Sequence, residues 1–403
     1  MSRKKKLQVV SIVKKASLLH LEPSKIVQDV LKLKDTALEL YKHYQSIGIS
    51  DALRTVQAKI HFDFCQKPAD SQSFTRAMQP GQSGPENIIG TCIGESRQND
   101  LPTGKLSVIV MVKRKIRDED KIQPQSMLPE SVTYEGHEYP VDVIETGEIF
   151  AGTQQGTPDH PQFPEDIDPA ICGCSIGLRG GQDAGTLGCL VRVKRIGGND
   201  KVCILSNNHV IGGINKANEG DDIMQPGEFD SINGFPARVI AKVQKVLPIE
   251  FSGTNTVDAA LGFTGRELCS TESRSYTLSP QTKLPSPNTV VIKDGRTTGF
   301  TKGNIIGVNG DTQVNYGTKK NPRLARFTDQ IVISPMGGFP RFSNAGDSGS
   351  LVVDAITFQP IALLFAGGEA SDGSSVTFAN PIQHVMDKLG IIEFLDSFPE
   401  DDG

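Results

Sequence analysis

The chain has 403 residues, 37% of them apolar and 22% charged, which suits a soluble globular protein long enough for two or three domains. A formal net charge of -5 gives no general reason to expect nucleic acid or an anionic membrane as a partner. No stretch of the sequence is continuously apolar over the length a membrane-spanning helix needs.

The charge is unevenly placed. Residues 1–60 hold 12 Lys or Arg against 5 Asp or Glu, so the N-terminus reads as a separate piece. It opens with a basic segment, but Lys14 and Lys15 interrupt the apolar stretch and no small-x-small site closes it, so it is not read as a signal peptide. Seven cysteines with no framework spacing are read as free thiols. Both features point to the cytoplasm. Cys172 and Cys174 stand closer than the C-x2-4-C pairs of zinc sites; neither a metal nor a cofactor is expected.

In chain order, Ile26, Val27, Val30, Leu31, Leu38 and Tyr41 recur at amphipathic helical spacing after Pro23-Ser24, with Gly48 as a stop. A second short helix is expected over 51–60. Residues 1–65 are therefore taken as a helical N-terminal module, a candidate docking point for a regulatory protein partner. Polar residues with Pro and Gly over 66–87 read as a linker, and a chain starting near Gly84 is expected to fold. Strands at 88–93, 106–113 and 141–149, with a short helix or loop near 118–127, make a small α+β domain over 88–150. Residues 151–170 are rich in Pro and acids and read as a second linker.

From 171 onwards short β-branched runs alternate with Gly, Asn, Asp and Pro, the pattern of an all-β barrel. Strands are expected at 186–194, 202–206, 237–246, 289–293, 331–334, 351–353 and 361–365. A closing helix is expected over 380–395. Gly295-Arg-Thr-Thr-Gly299 lacks the spacing and the Lys of a phosphate loop and reads as a turn.

Amide hydrolysis by a serine needs a base to take its proton, a group to hold that base in one tautomer, and donors for the oxyanion. Three segments offer these parts. In Ile204-Leu-Ser-Asn-Asn-His-Val210 an apolar strand runs into His209 just past its end. In Thr256-Val-Asp-Ala-Ala-Leu261, Asp258 sits among small and apolar residues, where a carboxylate needs a specific partner. In Asn344-Ala-Gly-Asp-Ser-Gly-Ser350, Ser348 leads directly into an apolar strand. Asp221 and Asp222 also lie between His209 and Ser348, but their Gly-flanked setting reads as a turn. Of the seven histidines only His209 is assigned to chemistry; His20, His43, His61, His137, His160 and His384 are read as structural.

GDSGS, SNNHV and VDAAL, in the order His, Asp, Ser, resemble the chymotrypsin/trypsin-like serine peptidases. The segments AGTLGCLV, LSNNHVIGG, GRTTGFTKG and FSNAGDSGSLVV are similar to intracellular bacterial trypsin-like peptidases related to the plant narrow-leaf proteases, over roughly residues 86–390. Val210 and Asn344 stand where secreted trypsins place cysteines. The resemblance implies a mainly β fold: a two-barrel chymotrypsin-like protease domain over 171–398 with a C-terminal helix, preceded by the small α+β domain and the helical segment. It implies a serine endopeptidase acting on a protein or peptide through an acyl-enzyme. His209 would be general base and then acid, Asp258 its orienting acid and Ser348 the nucleophile. The backbone N–H groups of Gly346 and Ser348 would form the oxyanion hole, shaped by an internal pairing of Asp347. Phe342 and Ser343 would sit at the floor of the pocket for the residue before the scissile bond. With no acid there, that residue should be small or apolar rather than Arg or Lys. Ala366, Gly367 and Gly368 would line its wall and pair with the substrate backbone. The rival reading is a catalytically idle peptide-binding or scaffold module of protease fold.

Overall fold

A computed structural model describes residues 38–66, 87–98, 101–116, 128–152, 167–181, 183–194, 200–231 and 236–399. The chain divides into two units, Met1–Ile47 and Gly48–Gly403. In the first, residues 38–46 are helical, and Gln45 donates to the Tyr41 hydroxyl one turn back at 2.8 Å. The rest of the helix expected after Pro23-Ser24 lies outside the described residues, as do the 118–127 segment and most of both expected linkers.

The second unit begins with helix α1 (Asp51–His61), whose first turn is capped by the Ser50 hydroxyl accepting from Leu53 N. Strands β1 (Ile88–Gln98), β2 (Leu101–Val112), β3 (Ser131–Tyr134), β4 (His137–Glu145) and β5 (Phe150–Ala151) follow. Next come β6 (Ala170–Cys172), β7 (Ser175–Leu178), β8 (Gly185–Thr186), β9 (Cys189–Val193), β10 (Lys201–Ser206), β11 (Asp222–Gln225) and the short helix α2 (Glu228–Ser231). They lead to β12 (Arg238–Val246), β13 (Thr254–Asn255), β14 (Ala260–Phe263), β15 (Cys269–Ser273) and β16 (Val290–Lys293). The chain continues through β17 (Thr301–Asn315), β18 (Leu324–Pro335), β19 (Leu351–Asp354), β20 (Pro360–Glu369), β21 (Ser375–Pro381), helix α3 (Ile382–Leu389) and β22 (Ile391–Phe394).

The fold is mainly β, as expected. An eight-stranded sheet runs β22-β9-β10-β14-β12-β11-β7-β8, and its described pairings are antiparallel. A twelve-stranded sheet contains β1 to β5, β13 and β16 to β21, while β6 and β15 pair with each other. Val191, Val202, Ile204, Leu205, Ile223, Ile240 and Leu261 fill the core under the first sheet. Phe327, Val332, Phe365, Phe378, Tyr316 and Ile109 fill that of the second. Both cores follow from β-branched and aromatic runs whose side chains stack on one face of a pleated strand.

Three expected boundaries are corrected. Residues 88–145 are no separate domain in their hydrogen bonding, because β1 pairs antiparallel with β17 and extends the second sheet. The approach is close enough that a Cβ on Gly90 would collide with the Asp311 carbonyl. The helix over 51–60 belongs to this unit rather than to an N-terminal module. Gln57 exchanges 2.7 Å hydrogen bonds with Asn309 through both ends of its amide. The expected closing helix stops at Leu389, because Gly390 takes φ +78 as a left-handed cap, and Ile391–Phe394 pairs with β9 as a strand.

Candidate active site

Register brings the first two chemical residues together. Strand β10 pairs with β14 so that Ser206 faces Ala260; the residues just after one strand and just before the other therefore share one end of the pair. His209 lies in a single π-helical turn, Asn208–Gly212, locked by the two asparagines before it. Asn208 Nδ2 donates to Leu247 O at 2.7 Å and to Asn215 Oδ1 at 2.6 Å, while Asn207 Nδ2 donates to Asp258 O at 2.7 Å.

Asp258 has no exposed surface, and its carboxylate is accounted for by three donors. His209 Nδ1 lies 2.6 Å from Oδ2, the His209 amide donates to Oδ1 at 3.3 Å, and the Tyr316 hydroxyl donates to Oδ2 at 2.7 Å. A buried carboxylate is costly unless so satisfied. Burial, reinforced by the Asp258 charge, pushes the Tyr316 phenol well above its usual pKa, so it remains a donor. Tyr316 also meets the His209 ring edge-on, with centroids 6.0 Å apart. Sequence reasoning missed Tyr316, which stands just past the end of β17, 58 residues from Asp258, with no motif around it. Asp221 and Asp222 are elsewhere: Asp222 pairs with Arg179 and Lys242, and Asp221 caps a local turn at Asn218.

With Asp258 accepting the Nδ1 proton, His209 Nε2 presents its lone pair; it is buried and has no hydrogen-bond partner among the described residues. Ser348 is brought to the same place by β8. Thr186 N donates to Ser348 O at 2.8 Å, and a Cβ on Gly185 would press on both Val210 and Ser348 O. The Ser348 hydroxyl donates to Phe365 O at 3.3 Å rather than to His209. Gly346, at φ +94, sets the turn before it, and the Gly346 carbonyl accepts from Thr186 Oγ1 at 3.0 Å.

Asp347 is satisfied internally by the Gly295–Gly299 turn between β16 and β17. Its Oδ1 accepts from the amides of Thr297 and Thr298 at 2.9 and 3.1 Å. Its Oδ2 accepts from Thr298 Oγ1 at 2.7 Å and Asn344 N at 2.8 Å, with Lys293 Nζ at 3.6 Å. Burial lowers the Lys293 pKa against the pull of Asp347 and Asp294. Beside it, Arg296 is paired with Asp230, both buried, and Ser175 shares that carboxylate. The turn expected from sequence is thus also the cradle that fixes the Asn344–Ser348 loop.

The expected pocket residues divide. Phe342 has no exposed surface and packs against β17 at Gly303, so its ring does not line an open pocket. Ser343 is half-buried and shares a 2.6 Å hydrogen bond with Thr377, opposite Gly367. Ala366, Gly367 and Gly368 lie on β20 past the end of β19, as a strand edge beside Ser348. That edge is occupied by β5.

No family model matches the sequence, and no curated protein matches it. Solved structures with a similar backbone include Thermobifida fusca Protease A, at 16% identity and TM-score 0.37 over 55% of this chain and 97% of that one. A Cellulomonas bogoriensis chymotrypsin gives 16% and 0.37 over 57% and 99%. A glutamic-acid-specific serine protease gives 14% and 0.39 over 56% and 100%.

Proposed function

We propose that the chain is a serine endopeptidase that cleaves a protein or peptide substrate through an acyl-enzyme. The observation that carries this reading is the buried Tyr316–Asp258–His209 relay, which leaves Nε2 without a hydrogen-bond partner among the described residues. Rotation of the Ser348 side chain away from Phe365 O would offer its proton to Nε2. Oγ then attacks the substrate carbonyl, and the developing oxyanion is met by the amides of Gly346 and Ser348. His209, now positively charged against Asp258, returns the proton to the leaving amine. Water repeats the sequence on the ester. The seven unpaired thiols support a reducing compartment such as the cytoplasm as the working place. The hydroxyl-lined Ser343–Thr377 contact supports a small uncharged residue before the scissile bond.

Labelling with a fluorophosphonate tests the reading. The wild type should be modified at Ser348, and Ser348→Ala and His209→Ala should not, with peptide hydrolysis lost in both. An unlabelled wild type would instead make the chain an idle binding module.

A further inference from the structure

Strand β20 outruns its neighbour β19: Leu351 lies opposite Leu363, Leu364 is bonded through both its amide and its carbonyl to Ser350 and Gly349, and the edge of residues 365–369 is left next to Ser348. The chain fills that edge itself. Strand β5 pairs there antiparallel, with Ala151 opposite Ala366 and Phe150 opposite Gly367. Continued by one residue, the register sets Gly152 opposite Phe365, whose carbonyl accepts the Ser348 hydroxyl. Gly152 also lies over the His209 ring, where a Cβ would stand 3.4 Å from Cδ2 and 3.7 Å from Nε2. Upstream, the backbones touch: a Cβ on Gly368 would collide with Thr146 O, and one on Gly147, at φ +65, with Glu369 O. Glu145 anchors the start by accepting from Ser371 N at 2.7 Å.

The direction is as telling as the position. An acyl-side peptide must add antiparallel to this edge and arrive at Ser348 with its C-terminal end. Residues 147–152 do both. Ile149, Phe150 and Ala151 are 2%, 3% and 5% exposed, and Ile149 and Ala151 complete the core of the second sheet.

We propose that residues 147–152 occupy, in cis, the groove for the acyl side of a peptide substrate, so that a substrate has to displace them. The inference rests on reading this edge as a peptide-binding groove. It also names the substrate class: an extended segment with a small residue opposite Phe365, Ala or a similar residue opposite Ala366, and a large apolar residue opposite Gly367. A peptide that takes the place of β5 restores the same ladder and core contacts, which is what makes the exchange feasible.

The test uses full-length Ser348→Ala protein and a fluorescein-labelled peptide of residues 148–152, Glu-Ile-Phe-Ala-Gly, read by anisotropy. Gly147→Val, which drives a β-branched side chain into Glu369 O, and Phe150→Pro, which removes a strand amide, are each added to that background. Either variant that keeps the parent circular dichroism spectrum should bind the peptide at least tenfold more tightly than the parent. Equal affinity in both folded variants would overturn the proposal. Fluorophosphonate labelling of the same variants with Ser348 restored keeps the two readings apart. Labelling without improved peptide binding sinks only the in-cis occupant, whereas improved binding without labelling sinks only the protease reading.

Discussion

At the residue scale, the site is an arrangement of proton donors around one buried carboxylate. Asp258→Asn replaces an acceptor by a group that permits the wrong imidazole tautomer, and should lower kcat on the order of 10^4-fold. Asp222→Asn, on an exposed pair with Lys242, should leave kcat unchanged. Steady-state kinetics on one peptide decides between them, and exchanged ranks would refute the choice of acid. Tyr316→Phe removes a single hydrogen bond to the same carboxylate and should cost roughly tenfold in kcat. A second residue carries a pH dependence unrelated to catalysis. His61, 6% exposed in α1, has its pKa lowered from 6.5 to about 4, by burial first and by the nearby Arg326 charge second. The unfolded chain therefore binds a proton between those values that the folded chain does not, and stability falls as pH drops from 6.5 to 4. His61→Gln should flatten that part of a melting-temperature profile, while leaving the profile above pH 7 parallel to the wild type.

At the scale of elements, glycines decide where the chain changes course. Helix α3 and strand β22 are separated only by Gly390 at φ +78, which closes the helix through its amide to Met386 O. A valine there is forced into the left-handed region, so Gly390→Val should destabilise by about 1–2 kcal/mol. The loss should appear as a lower denaturant midpoint with an unchanged slope. Gly390→Asn, which tolerates that conformation better, should recover part of it. A single closing helix over 380–395 is the expectation from sequence, and the structure divides it at Gly390 into α3 and β22. What local pattern could not supply was the open edge of β9, to which the residues of β22 hydrogen-bond.

For the whole molecule, the consequence lies in where the second unit begins. Helix α1 buries Leu53, Val56 and Ile60, and its Gln57 amide is bonded to Asn309. A chain starting at Gly48 should keep these contacts and melt within a few degrees of full length. One starting at Gly84 loses them and should melt lower or aggregate. Thermal melts of the two truncations decide this, and equal melting would show α1 to be dispensable.

The candidate residues His209, Asp258 and Ser348 stand out in the sequence because each has a local setting that a few residues spell out: a polar turn after an apolar strand, an acid among small residues, a Gly-flanked serine before a strand. The mainly β class was legible for a similar reason, since alternation and turn residues act over five to ten positions. Tertiary structure alone decided the rest. Tyr316 reaches Asp258, Thr297 and Thr298 cradle Asp347, and β5 covers the edge of β20 through hydrogen bonds between residues far apart in the chain. The partner of a buried polar group, or of an open strand edge, is fixed by which distant segment the fold delivers to it, and no local spacing encodes that delivery.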